Sequence, residues 1–182
     1  MLSRFTLPIR DLFASNAASV TGAPPPGEFV KGINLGGGSV TVEGQRWESY
    51  ETALKQGLAI ANQGTTITTT IIPTPYAPPD LRRMLNSVIC YPETLELTQM
   101  LANGSYEVYL WILENYKTDW HSMSVQINGQ PVATEVGKLP FGHWVRYGAY
   151  HAQVTDNLLT VTLSTGTPTV DAHLMGLSIF RR

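Results

Sequence analysis

The residues with the most chemical potential in this sequence are aromatic rings set among acids and amides in one short segment. Glu114 to His121 reads ENYKTDWH, which places Tyr116 and Trp120 beside Asn115 and Asp119. Pyranose rings present flat C–H faces that pack on aromatic rings, and their hydroxyls take carboxylates and amides as partners. Tyr50 and Tyr91 stand near other expected strand ends. The chemistry these side chains support is recognition of a sugar by stacking and hydrogen bonding, with no bond made or broken.

Other chemistries find less support. His121, His143, His151 and His173 share no ligand spacing and stand in different segments, so no metal site is read from them. His151 and His173 fall in strand patterns and read as packed or rim histidines. No Asp-rich loop marks a hard-cation site. There is no Gly-x-Ser-x-Gly, and the single Cys90, flanked by Val88, Ile89 and Tyr91, reads as a small core residue. Glu48, Glu51, Glu114, Asp119 and Asp171 could be drawn on as carboxylates for glycoside hydrolysis, but any chain with 14 acidic residues permits such a choice. Gly36 to Gly38 are followed by Ser39-Val40-Thr41-Val42 rather than a helix start, so they form a turn and not a phosphate loop. The expectation is a protein without enzymatic activity and without a cofactor.

The elements that must carry the aromatic segment are strands. Ser105 to Leu113 is dense in Tyr, Val, Trp and Ile, and both of its faces are apolar, as in a central strand covered on both sides. Met123, Val125 and Ile127 alternate with Ser124 and Gln126, the pattern of a half-buried strand. Asn128-Gly129 then turns the chain into a hairpin. Further strands are expected over Phe29 to Leu35, Thr65 to Ile72, Ser87 to Tyr91, Thr94 to Leu101, Trp144 to Val154, Leu158 to Leu163 and His173 to Phe180. Tyr50 to Ala61 could form a short helix weakened by Gly57, and Asp80 to Asn86 a helical turn or two capped by Asp80. Trp47, Trp111 and Trp144 are expected in the core. Many short strands separated by turn signals define an all-β class, an antiparallel β-sandwich or jelly roll.

The central stretch also carries a resemblance. Gly104-x-Tyr106-x-Val108, an apolar strand, Glu114-x-Tyr116, a loop, and then Val125-x-Ile127-Asn128-Gly129 is similar to the malectin-like carbohydrate-binding domains. Ile33-Asn34-Leu35-Gly36-Gly37, Trp47, the run from Asn157 to Leu163, and Ala172 to Phe180 agree with it in order, so the likeness covers roughly residues 28–182. It implies a sandwich with a glycan site at one end, built from loop aromatics and a late acid. Tyr116 matches the family's Glu-x-Tyr position, Tyr91 an aromatic of the preceding segment, and Asp171 the acid. The chain departs from the family at Met84-Leu85-Asn86-Ser87, where a Tyr-x-Thr/Ser-Glu-Arg run is usual, at Met123-Ser124 in place of Phe-Asp, and at Lys117 in place of a second aromatic.

Composition sets the outer limits. At 182 residues one domain is expected, and 43% hydrophobic residues suffice for a sizeable core. Charged residues make up only 14% and the net charge is −2, which argues against nucleic acid or an anionic membrane as partner. No apolar run reaches the length of a membrane span. The apolar patch within Met1 to Phe13 is interrupted by Pro8, Arg10 and Asp11, so no ordinary secretory signal is read. Residues 1–28 end in the Pro-rich spacer Gly22 to Gly27 and are expected to form an extended arm that docks on its own domain or on neighbouring subunits, the latter favoured, with residues 29–182 as the sandwich domain. That arm raises a second expectation, a structural or adhesion subunit of a large assembly such as a phage virion or tail, at an extracellular or virion surface.

Overall fold

The computed structural model describes residues 27–182. The arm expected over residues 1–28 thus lies, but for Gly27 and Glu28, outside the described residues. In chain order the elements are β1 (Glu28–Asn34), β2 (Val40–Val42), β3 (Gln45–Ser49), α1 (Tyr50–Lys55), β4 (Leu58–Ile60), β5 (Thr65–Thr68), α2 (Pro79–Leu85), β6 (Ser87–Pro92) and β7 (Thr94–Met100). They continue with β8 (Gly104–Leu113), β9 (Met123–Ile127), β10 (Gln130–Val136), β11 (Trp144–Val154), β12 (Leu158–Ser164), β13 (Asp171–Leu174) and β14 (Gly176–Arg181). The chain is an all-β sandwich. One sheet runs β11-β8-β14-β1-β3-β2, the facing sheet β10-β9-β12-β7-β4, and a third, smaller sheet β13-β6-β5. All pairings are antiparallel except β1 with β3.

The apolar pattern of each strand follows from what covers it. Tyr106, Val108, Leu110 and Ile112 of β8 face the main core, where they meet Val125 and Ile127 of β9, Val161 and Leu163 of β12, and Leu95 and Leu97 of β7. The opposite face of β8 is covered as well. Trp111 and Leu113 join Trp47, Trp144, Met84, Leu85 and Met175 in a second core beneath α2. Trp111 stacks on Trp144 at 5.7 Å and meets Trp47 edge-on at 5.6 Å, and its indole N–H donates to Ser178. A strand buried on both faces reads as a continuous apolar run, and β8 does. β9, with one face in solvent, keeps strict alternation. At Asn128 and Gly129 both φ angles are positive (49° and 73°), the left-handed pair that a tight two-residue hairpin demands.

Four expectations are revised. The strand expected to Ile72 ends at Thr68, because Asn86 takes over the pairing. Its backbone carbonyl accepts from Thr69 N, its side-chain oxygen accepts from Thr69 Oγ1 and Ile71 N, and its amide donates to the Ile71 and Arg82 carbonyls. Asp80 does not cap its own helix. Pro78 and Pro79 start α2, and the Asp80 carboxylate accepts from Thr41 N and Arg83, tying α2 to β2. The helix expected over Tyr50 to Ala61 stops at Lys55, with Gly57 at φ 91° turning the chain into β4. The single final strand is two: β13 pairs with β6, and after Met175 the chain crosses to the first sheet as β14. Among the described residues no helix is long and apolar enough to cross a membrane.

Trp111 anchors the second core while its strand neighbours line the first. Trp111→Ala should cost about 3–5 kcal/mol in urea unfolding, the range for truncating a large buried aromatic. Leu158→Ala, at a residue 40% exposed, should stay within about 0.5 kcal/mol of the wild type.

Candidate functional site

The loop between β8 and β9 is built around one buried acid. Glu114 follows the last residue of β8 and has no solvent exposure. Its Oε1 accepts from the backbone N–H groups of Tyr116 (2.9 Å) and Lys117 (3.3 Å), and its Oε2 from that of His121 (3.0 Å). The His121 ring closes the set, with Nδ1 at 2.9 Å and 3.0 Å from the two oxygens. A single carboxylate thus fixes the start and the end of the loop. The loop is also sewn to the segment before β11. Glu114 N donates to His143 O, Gly142 N to Glu114 O, Asp119 N to Leu139 O, and Phe141 N to Thr118 Oγ1.

On the solvent side this loop presents Tyr116 and Trp120. Their rings meet edge-to-face at 5.1 Å, and the Lys117 ammonium lies 4.7 Å from one centroid and 5.0 Å from the other. Lys117 therefore occupies a ring face where the malectin-like pattern has a second aromatic. Phe141 is exposed on the neighbouring segment. Tyr76 is exposed on the Pro-rich loop, which that same segment holds through Thr74 N to Gly142 O and Trp144 N to Thr74 O. Tyr76 also borders a cleft of about 560 Å³ lined by Asn34, Thr69, Arg82, Arg83 and Asn86. The buried side-chain oxygen of Asn34, one of these lining residues, has no hydrogen-bond partner.

Behind the aromatic pair lies a buried polar cluster. His121 Nε2 stands 3.5 Å from Asp171 Oδ1, and the His173 ring packs on that of His121 with centroids 3.8 Å apart. Burial by itself would lower the His121 pKa, but hydrogen bonds to Asp171 and Glu114 outweigh it and raise the value to about 9. Burial likewise disfavours the Glu114 carboxylate, and the His121 ring and backbone donors overcome it and hold its pKa below the usual value. Asp171 is held down by its hydrogen bond with His121. His173 is the converse: burial, then the charge on His121, pushes it down to about 3, so it stays neutral. Burial and the Asp171 charge push the Cys90 thiol up to about 11, a protonated and unreactive state. His121, Asp171 and His173 offer donor atoms that all lie within 4.8 Å of one another.

Of the five residues picked from sequence, the structure brings together Tyr116 and Trp120 and sets Asp171 behind them, through His121. Tyr91 and Tyr50 are placed elsewhere. Tyr91 lies opposite Ala172, on the other face of β6 from Cys90, and packs half-buried against the main core. Tyr50 packs half-buried against that core at the start of α1, its N–H bonded to Gly37 O. Sequence reasoning names Glu114 only within the motif and among the acids, weighs His121 and His173 only as isolated histidines, and does not pick out Phe141 or Tyr76. The pair of histidines could not be found by spacing, because 52 positions separate them and strand pairing alone joins them. His173 had been expected as a packed histidine, and it is wholly buried.

No protein-family model matches the chain, and no curated protein matches it in sequence. The fold recurs in solved structures. A calcium-binding mutant of Bacteroides uniformis β-glucuronidase 2 aligns at a TM-score of 0.66 and 13% identity, over 84% of this chain and 18% of that one. The ANXUR2 extracellular domain from Arabidopsis thaliana aligns at 0.65 and 16% identity, over 84% of this chain and 48% of that one. The ANXUR1 extracellular domain from the same plant gives 0.65 and 16%, again over 84% and 48%. This chain thus spans less than half the length of each. The likeness is one of fold, and at that level it accords with the malectin-like resemblance in the sequence.

Removing the Glu114 carboxylate leaves three backbone donors and an imidazole without their acceptor. Glu114→Ala should cost about 3–5 kcal/mol of stability, as for other broken buried ion pairs. In hydrogen exchange the amides of Tyr116, Lys117 and His121 should lose more protection than those of β8 and β9. Equal loss everywhere would show that the loop is not organised by this side chain.

Proposed function

We propose that this domain is a non-catalytic carbohydrate-binding module whose site is the surface of the β8–β9 loop. One observation carries the reading. Among the described residues the exposed large aromatic side chains are Tyr76, Tyr116, Trp120 and Phe141, and all four stand on three loops joined by backbone hydrogen bonds at one end of the sandwich. Aromatic rings left in water cost free energy, and exposed rings among polar groups are the surface that sugar C–H faces fit. Asp171, 39% exposed at its side chain, supplies a hydroxyl acceptor behind the pair, and Lys117 supplies a donor above it. The occurrence of the same fold within a β-glucuronidase accords with this reading. Recognition of this kind needs no nucleophile and no proton transfer.

The reading is tested by a glycan array followed by calorimetry on the glycans retained. Wild type should bind at least one glycan class, and Tyr116→Ala and Trp120→Ala should each weaken it by about tenfold or more while staying folded, as expected for truncated anchor aromatics. Tyr76→Ala reports whether the adjacent cleft takes part. Binding to nothing on a broad array, or unchanged affinity in both loop variants, would sink the proposal.

A further inference from the structure

We propose that His121, His173 and Asp171 form a binding site for a divalent transition-metal ion of the zinc class, joining the β8–β9 loop to β13. The starting observation is His173. It is fully buried, and neither of its ring nitrogens has a hydrogen-bond partner. Buried polar atoms in folded proteins are nearly always satisfied, so a buried ring with no partner marks a place where something else supplies one, and an ion would satisfy one of its two nitrogens. The ring packs against His121 at a tilt of 40°, the His121 Nε2 is turned toward Asp171, and the donor atoms of the three residues lie within 4.8 Å of one another. The His121 Nε2 to Asp171 Oδ1 separation of 3.5 Å is close to the edge of about 3.3 Å in a tetrahedron with bonds of about 2 Å.

The surroundings fit a metal in a second way. Glu114 accepts from His121 Nδ1, which fixes the ring, and an ion would displace the proton on Nε2, which faces Asp171, and take that nitrogen as its ligand. A carboxylate behind a ligating imidazole is the usual support in metal sites. The choice of metal follows from donor type. Two imidazoles and one carboxylate suit zinc, whereas calcium and magnesium want six or more oxygens, and both Glu114 oxygens are already taken by the loop. Cys90 faces His173 across the strand pair but donates to Thr65 O (3.6 Å), so it stands outside the three-donor group. Asp171, alone of the three, reaches solvent, which gives an ion a way in and leaves room for water as a fourth ligand.

The test uses the full chain, stripped with a chelator and titrated with zinc chloride in a calorimeter. One ion per chain is expected, with a rise in melting temperature. Asp171→Asn and His173→Asn should each weaken zinc by about tenfold or more. Unchanged affinity in either variant, or no zinc bound by folded wild type up to millimolar concentration, overturns the site. Cobalt(II) gives a readout that needs no variant. Imidazole ligation should produce paramagnetically shifted, exchangeable ring N–H resonances in the wild-type proton spectrum, and their absence overturns the proposal as well. Glycan binding enters none of these measurements, so this inference stands or falls apart from the sugar reading.

Discussion

A carboxylate with no access to water cannot stay ionised unless the protein replaces every hydration contact it gives up. Glu114 sits in that position at the end of a strand buried on both faces, and the local architecture is the replacement. Its two oxygens draw in the N–H groups of residues 116, 117 and 121, which bends the following segment into a closed loop. They also draw in His121, which is then held charged between Glu114 and Asp171. Asp171 opens β13, so the requirement reaches across to the third sheet. The charge on His121 helps keep the neighbouring His173 neutral. The chain of dependence runs from one buried acid through a loop and two histidines to a strand far away in sequence.

The larger fold makes this possible. β8 can deliver Glu114 to a dry place only because both of its faces are covered, one by the facing sheet and one by the tryptophans beneath α2. The second core depends in turn on the late split of the final strand. Met175 crosses between sheets, packs among the tryptophans, donates its N–H to Trp111 O and accepts from Leu35 N. The crossing puts β13 beside β6, where Asp171 and His173 can reach the loop, and puts β14 beside β8. A continuous strand from His173 to Phe180 could not do both.

Strand identity was legible in the sequence wherever a residue's environment is set by its neighbours along the chain. The two-sided burial of β8, the alternation of β9 and the turn at Asn128-Gly129 were all local signals. Elements whose limits are set from afar were not. Thr65 to Ile72 has β-propensity to its end, but the side chain of Asn86 decides where pairing stops. Asp80 has the right type and place for a cap, yet Thr41 from another strand claims its carboxylate. The site divides in the same way. Tyr116, Trp120 and the Glu114 motif share one segment and could be read together, while the approach of His121 to Asp171 and the packing on His173 exist only through strand order. Tyr50 and Tyr91 were chosen for residue type near strand ends, and the alternation of faces along a strand settled Tyr91 against the core instead.

The same separation bears on how a surface loop can hold aromatic rings out in water and still be useful. Binding costs conformational freedom, and a loop that must order itself on contact gives up part of its affinity. Here the ordering is complete beforehand. The backbone under Tyr116 and Trp120 is held by the buried carboxylate and by the segment before β11, and each ring has only two side-chain torsions left to fix. The polar cluster behind the loop need not touch a ligand to matter. By fixing both ends of residues 114–121 it gives the two exposed aromatics a backbone of defined shape from which to project.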